Sequence, residues 1–389
     1  CRMRLSDRRP LFRLVSTLGA AVVGMSLSML AGCGGHATHG APEQVSSRAD
    51  SFKPGVEPWA KLGYRWDWSG FPAVAPGGTI RFFDVQGDAL VAQDSTGVVT
   101  LMEPASGRVR WSAEVANPLT RFVGINRLRT DRADLVVVSG ESEVFQLSAQ
   151  TGNLVSRQSY EKVVNTRPVL IGQLAIYGTS RGEVLAHHLG TGFKAWGFGT
   201  SGSIETTPVV VGGLVATVSS NGEFTFLEPS RGGLIGRGAM YAGIACDAAA
   251  SDDLLIAAST DQSLWGLSPS GNSVWRVRTS AALRTSPVIH AGVVYASLPD
   301  RGFCAFDAAT GAERWVCKGV AGRVVGLRAG RLLVWDGREA VTLDPARGSV
   351  IERATLEGVQ GLVTDKMEDG VLYVITSSGV VAKFLPRAM

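Results

Sequence analysis

The sequence has few of the residues that build metal, redox or nucleic-acid sites. Only five of its 389 residues are cysteine and five are histidine. It contains no Cys-x-x-Cys motif, no adjacent cysteine pair and no His/Cys cluster with zinc spacing. It also lacks a basic run, and once residues 1–32 are set aside the basic and acidic residues are equal in number. A nucleic-acid partner is therefore not expected, because phosphates attract clustered Lys or Arg.

Beyond residue 60 the sequence also lacks a convincing amphipathic helix. Short runs rich in β-branched residues take its place, and each run is closed by turn residues. One example is Val293–Ala296, which follows Pro287–Ile289 and precedes Gly302. The sequence therefore predicts an all-β fold.

One hairpin pattern recurs seven times along the chain. In Phe303–Trp315, alternating residues lead into a turn at Gly311, and a tryptophan follows four residues later. The corresponding glycines are about 40 residues apart, which is the period of a β-propeller with one four-stranded blade per repeat. These glycines are Gly107, Gly152, Gly192, Gly232, Gly271, Gly311 and Gly348.

Four of the repeats keep the tryptophan, as Trp111, Trp196, Trp275 and Trp315. Such rings could stack on a sugar or a cofactor. Because they recur once per repeat at one offset, packing between neighbouring blades is the favoured interpretation.

The ends of the chain indicate how the propeller closes. Leu62–Pro386 has room for eight blades of about 40 residues, in preference to seven. The last repeat lacks its outer strand, and Leu62–Trp68 reads as a strand without a blade. We therefore expect this segment to pair with Val380–Leu385, with Trp66 packed inward as a repeat tryptophan.

Residues 1–32 read as a signal peptide that ends in a lipobox. A basic head precedes an apolar run at Leu14–Leu30, and Leu30–Cys33 matches the lipobox of bacterial lipoproteins. Cys33 is therefore expected to carry the lipid. A single membrane anchor, an ordinary signal peptide and a twin-arginine signal are the alternatives. Residues 33–59 are predicted to be a flexible tether, and residues 60–389 the propeller.

Cys304 and Cys317 lie on the two strands of one predicted hairpin. An exported compartment would allow a disulfide between them. Two free buried thiols are the alternative.

The repeats resemble those of the PQQ-binding-like, or quinoprotein-type, propeller superfamily. The resemblance covers about residues 60–386 and is best from Pro287 to Trp315. Within the superfamily, the length and the N-terminus are most similar to the lipoprotein B group of outer-membrane β-barrel assembly. This group implies a lipid-anchored scaffold on the periplasmic face of the outer membrane, which binds envelope proteins such as the barrel-assembly machinery.

The superfamily also implies two other functions. One is a dehydrogenase that uses pyrroloquinoline quinone and calcium, and the other is a propeller that senses a ligand or binds polysaccharide. The sequence shows no Cys-Cys pair and no carboxylate cluster for calcium, so we expect no catalysis, no cofactor and no metal. The docking segment of the lipoprotein group lies between its third and fourth blades. Ser203–Thr207 does not match it here, and Ala282–Thr285 has matching residue types but lies between the fifth and sixth blades.

Overall fold

The computed structural model describes residues 52–116 and 119–388. Its first elements are a short helix, α1 (Val56–Lys61), and a strand, β1 (Tyr64–Gly70). The next 28 strands form seven consecutive four-stranded antiparallel sheets. The last three strands, together with β1, form the eighth sheet. The protein is an eight-bladed β-propeller, as the sequence predicted.

The first four blades follow β1 in chain order. Blade 1 is β2 (Ile80–Gln86), β3 (Ala89–Asp94), β4 (Val98–Met102) and β5 (Val109–Glu114). Blade 2 is β6 (Phe122–Arg129), β7 (Asp134–Gly140), β8 (Glu143–Ser148) and β9 (Leu154–Ser159). Blade 3 is β10 (Val169–Ile171), β11 (Leu174–Gly178), β12 (Glu183–His188) and β13 (Phe193–Gly199). Blade 4 is β14 (Val209–Val211), β15 (Leu214–Val218), β16 (Glu223–Leu227) and β17 (Leu234–Ala239).

The other four blades complete the ring. Blade 5 is β18 (Ala249–Ala250), β19 (Leu255–Ser259), β20 (Ser263–Leu267) and β21 (Ser273–Arg278). Blade 6 is β22 (Val288–His290), β23 (Val293–Leu298), β24 (Gly302–Asp307) and β25 (Glu313–Cys317). Blade 7 is β26 (Arg323–Arg328), β27 (Arg331–Trp335), β28 (Glu339–Leu343) and β29 (Val350–Thr355). Blade 8 is β30 (Val359–Thr364), β31 (Leu372–Thr376), β32 (Val381–Pro386) and β1.

The core is divided between the blades. Each pair of neighbouring blades shares a cluster of buried apolar side chains, and blades 8 and 1 share one too. Middle strands such as β3 and β19 are buried along their whole length, because both of their faces pack against a neighbour. Outer strands such as β9 expose most of their residues. The loops are thereby held on a rigid ring.

The closing strand pairs as predicted, but with a different tryptophan inward. Tyr64 lies opposite Pro386, and Gly70 lies opposite Val381. A β-bulge between Trp66 and Trp68 shifts the register. Trp66 is consequently 52% exposed, and the prediction that it packs inward is wrong. Trp68 packs instead on the turn glycine of blade 1.

Residues 52–59 pack on the propeller, although the sequence analysis assigned them to the tether. Phe52 is buried, and Trp59 of α1 stacks on Phe384 with ring centroids 3.9 Å apart. Both aromatic residues belong to the core cluster between blades 7 and 8. The folded part therefore begins before the predicted boundary at residue 60. The predicted signal peptide at residues 1–32, the predicted lipidation site Cys33 and residues 34–51 lie outside the described residues.

Cys304 and Cys317 are free thiols, so the disulfide alternative is wrong. Cys317 lies opposite Phe303, and Cys304 lies opposite Val316. Because successive residues of a strand point to opposite faces, the two sulfur atoms face different neighbouring blades. Cys304 belongs to the cluster between blades 5 and 6, and Cys317 to the cluster between blades 6 and 7. Burial raises the pKa of Cys304 to about 11, so its thiol stays protonated.

Candidate interaction surfaces

The repeat tryptophans face the next blade and not a ligand site. Each ring lies against the turn glycine of the following blade, and its Nε1 donates to a carbonyl of that turn at 2.8 to 3.2 Å. Each of the four rings predicted from the sequence is only 8% exposed. The pairs are Trp68 with Gly107, Trp111 with Gly152, Trp196 with Gly232, Trp275 with Gly311 and Trp315 with Gly348.

Three blade interfaces lack the repeat tryptophan: those between blades 2 and 3, blades 4 and 5, and blades 7 and 8. The first two are built differently from the interfaces that have it. Between blades 2 and 3, Gln158 lies nearest to Gly192 and donates to the carbonyl of Leu189 at 2.8 Å. Its Oε1 lies 2.8 Å from Nε2 of the buried His187. Between blades 4 and 5, a Cβ on Gly271 would lie 2.4 Å from the backbone oxygen of Arg237. The glycine there permits direct contact between the backbones.

Ion pairs link the third and fourth strands of several blades. Glu183 binds both Lys194 at 2.6 Å and Lys162, and Glu223 binds Arg237 at 2.8 Å. Burial would raise the pKa of Glu223, but hydrogen bonds from Ser201 and the pairing with Arg237 lower it overall. These carboxylates are therefore charged and already paired with Lys or Arg side chains. Arg157–Glu143 in blade 2 and Arg353–Glu339 in blade 7 repeat the arrangement.

The polar side chains of the innermost strands and the loops before them bind one another across blades. Arg167 pairs with Asp84, and the amide of Asn165 donates to Glu205 at 3.3 Å. The backbone N–H of Thr207 donates to Asp247 at 2.9 Å. Asn165–Glu205 and Thr207–Asp247 join consecutive blades, and Arg167–Asp84 joins blade 3 to blade 1.

The two segments compared with the docking sequence, Ser203–Thr207 by its place and Ala282–Thr285 by its residue types, each bury an apolar side chain. In Ser203–Thr207, Ile204 is fully buried. In Ala282–Thr285, Leu283 is 1% exposed, and its N–H donates to the carbonyl of Ser259 at 3.1 Å. Neither apolar side chain is available to a partner.

A cluster at blades 4 and 5 differs from the other surfaces. Tyr241, in the loop after β17, is 77% exposed. The guanidinium of Arg276 contacts two rings, 4.6 Å from the centroid of Tyr241 and 4.5 Å from that of Trp265, and the two ring centroids are 5.9 Å apart. Asp261 accepts from the Trp265 indole at 3.1 Å and from the Tyr241 backbone N–H at 3.3 Å. Nε of Arg276 donates to Ser263 at 2.8 Å. We refer to Tyr241, Asp261, Trp265 and Arg276 as the Tyr241 cluster.

The sequence analysis missed this cluster, although one signal was present. The turn between the second and third strands carries a glycine in blades 1, 3, 4 and 8, at Gly97, Gly182, Gly222 and Gly379. Blade 5 has Gln262 there, and its φ is 63°. A side chain in the left-handed region at a position that elsewhere holds glycine marks a blade that departs from the repeat.

A cleft of about 550 Å³ lies between blades 6 and 7, and its charged groups are largely paired. Arg301 binds Glu313, and Glu339 binds Arg353. Among the described residues no group of three or more His, Cys, Asp or Glu side chains could hold a metal ion. No helix within the described ranges is long and apolar enough to cross a membrane.

The model of the family described as outer membrane protein assembly factor BamB matches residues 67–198, 141–235 and 225–360. The chain belongs to this family. The matched ranges overlap and together include blades 1 to 7. The family assignment agrees with the resemblance found in the repeats.

Solved structures show the same fold at low sequence identity. BamB from Moraxella catarrhalis is 19% identical, with a TM-score of 0.65, over 83% of this chain and 97% of that one. The computationally designed Ika8 protein is 13% identical, with a TM-score of 0.64, over 81% of this chain and 100% of that one. The comparison with curated protein sequences found no match.

Proposed function

We propose that this protein is a non-catalytic, membrane-anchored scaffold that binds envelope proteins through its propeller loops and acts in outer-membrane β-barrel protein assembly. The observation that carries the proposal is the match to the assembly-factor family across residues 67–360. The rigid closed ring supports it, because such a ring presents loops in fixed positions without needing a moving part.

The proposed anchor is a diacylglycerol on Cys33, which places the protein on the periplasmic face of the outer membrane. The support is the sequence: a basic head, a short apolar run and Leu30–Cys33. Residues 52–59 pack on the propeller, so the proposed tether is restricted to residues 34–51, which would separate the lipid from the propeller.

A quinone and calcium site does not fit the residues of the innermost strands. The carboxylates there are engaged by neighbouring blades, as in Asp84 with Arg167, Glu205 with Asn165 and Asp247 with Thr207. The described cysteines lie at 246, 304 and 317, so no two are adjacent to form a floor under a cofactor. We therefore propose binding without catalysis.

Co-purification from detergent-solubilised membranes tests the proposal. The tagged protein is expected to bring down outer-membrane β-barrel assembly proteins in stoichiometric amounts. A Cys33→Ser variant should lose its acyl mass shift and its membrane fraction. Recovery of the protein alone, or an unchanged membrane fraction for the variant, would contradict the scaffold and the anchor respectively.

A further inference from the structure

The Tyr241 cluster holds an exposed aromatic ring in one orientation. The Tyr241 ring rests on the Arg276 guanidinium, and its backbone N–H donates to Asp261, which is itself fixed by the Trp265 indole. Trp265 is buried against blade 4 and anchors the stack. An exposed side chain that is already ordered loses little conformational entropy when a partner covers it. Tyr, Trp and Arg are also the residues that dominate the energetics of protein interfaces.

The cluster and the neighbouring Arg278 together carry two guanidinium groups but only one carboxylate, that of Asp261. The polar contacts of Arg276 are the bond from Nε to Ser263 and a 3.8 Å approach of Nη2 to Asp261. Arg278 lies two residues further along β21, on the same face, and is exposed. Within the described ranges it has no ion-pair partner. The carboxylate of Asp261 is 5% exposed and accepts from the indole N–H at the edge of the Trp265 ring. A partner therefore meets the exposed Tyr241 ring beside the exposed Arg278 and the Arg276 side chain, which is 20% exposed.

The adjacent turn supports a role beyond packing. Gln262 has a φ of 63° at the position where blades 1, 3, 4 and 8 use glycine. Glycine would relieve this backbone strain, so the strained side chain next to Asp261 is itself an indication of function. In the other cation–π pairs of the described residues, the aromatic ring is buried or half-buried.

We propose that the Tyr241 cluster is a docking site for a partner-protein segment in which a carboxylate lies next to an apolar side chain. The carboxylate binds Arg276 and Arg278, and the apolar side chain covers the Tyr241 ring. This inference rests on the proposed scaffold function and names the chemistry of one of its partners. The cluster lies apart from Ser203–Thr207 and Ala282–Thr285.

A phage-displayed library of random dodecapeptides tests the proposal, with the mature chain immobilised through its C-terminus as bait. The recovered peptides are expected to share an Asp or Glu next to an aromatic or aliphatic residue. Synthetic peptides should bind Tyr241→Ala and Arg276→Lys at least tenfold more weakly than the parent protein. Arg276→Lys keeps the charge but lacks the planar group that stacks and binds bidentately.

Phe193→Ala is the matched control, because Phe193 is 75% exposed on the outer strand of blade 3 and its change should alter the Kd less than twofold. Melting curves establish that each variant is folded. The proposal would be overturned if the library gave no enriched peptides, or if the peptides bound Tyr241→Ala as tightly as the parent protein. It would also be overturned if replacing the peptide's Asp or Glu by Asn or Gln left the Kd unchanged. The co-purification described under the proposed function uses the parent protein. Its result therefore tests the scaffold function independently of the Tyr241 docking site.

Discussion

At the residue scale, the blade interfaces depend on a glycine that accepts a tryptophan ring. Gly311 combines a φ of 70° with a position where an added Cβ would lie 2.6 Å from the Trp275 ring. Trp275 Nε1 also donates to the carbonyl of Ala308 at 2.8 Å, so the ring has little freedom to move. Glycine is therefore required at position 311 both for its backbone conformation and for the space that the Trp275 ring occupies.

Gly311→Ala is expected to destabilise the protein more than Gly292→Ala. Both glycines have a positive φ, but an added Cβ at Gly292 meets nothing within 4 Å. Each change should cost about 1 kcal/mol for the left-handed backbone, and Gly311→Ala should cost about 2 kcal/mol more for overpacking. Chemical denaturation measures both free energies of unfolding, and equal losses would show that the ring does not press on the turn.

His187 should make the interface between blades 2 and 3 sensitive to pH. Burial lowers the pKa of its imidazole, so the folded state favours the neutral ring. The unfolded state binds the proton more readily, and stability should fall as the pH drops below about 6.5. Denaturation midpoints between pH 7.5 and 5.5 should fall less in His187→Gln than in the parent protein. His188→Gln is the control, and an equal fall in His187→Gln would contradict the assignment.

At the element scale, the ring is closed by β1 and secured by Arg328. Its side chain is 8% exposed, and Nε donates to the carbonyl of Gly63 at 2.9 Å. Nη1 pairs with Asp369 at 2.5 Å, and Nη2 donates to the carbonyl of Arg387. One side chain of blade 7 thus binds the start of β1 and the end of β32, which lie opposite each other.

Arg328→Ala is expected to lower the free energy of unfolding by about 3 kcal/mol, because it removes three hydrogen bonds made by a nearly buried guanidinium. Arg353→Ala removes an exposed pair with Glu339 and should cost less than about 1 kcal/mol. The Arg328 variant should also self-associate, because loosening β1 opens a strand edge. Light scattering and denaturation check both effects, and equal stability of the two variants would contradict the closing role.

The sequence predicted the elements better than it predicted details of register. The regular spacing of the turn glycines was sufficient for eight blades and for closure by the N-terminal strand. The alternation of inward and outward side chains along a strand does not reveal the bulge between Trp66 and Trp68. It therefore predicted that Trp66, and not Trp68, faces inward. An offset of one residue likewise separates Cys304 from Cys317. The Tyr241 cluster was missed because its residues come from three separate segments that only the fold brings together.

At the scale of the whole molecule, we propose that the propeller binds partners and does not catalyse a reaction. Its innermost polar groups join blades to one another, and its repeat tryptophans pack on turns. The described blades do not need to move for the proposed scaffold to bind a partner. What varies around the ring is the loop surface, and the Tyr241 cluster is its most distinctive part.

Adding pyrroloquinoline quinone with calcium is expected to leave the melting temperature unchanged. A cofactor present at 100 times its Kd would stabilise the folded state by about 2.7 kcal/mol. Thermal melts with the quinone, with calcium and with both check this expectation. A rise of several degrees, or reduction of a dye with an alcohol or sugar, would support an enzyme.

The most direct test of the central claim is the amount of β-barrel protein in the outer membrane of cells that lack this gene. Quantitative proteomics of the isolated outer membrane should show lower levels of β-barrel proteins, with full recovery when the parent gene is restored. Restoration with Cys33→Ser should recover them only in part, because the scaffold would no longer be held at the membrane. Unchanged levels of β-barrel proteins in the deletion strain would contradict a role in their assembly.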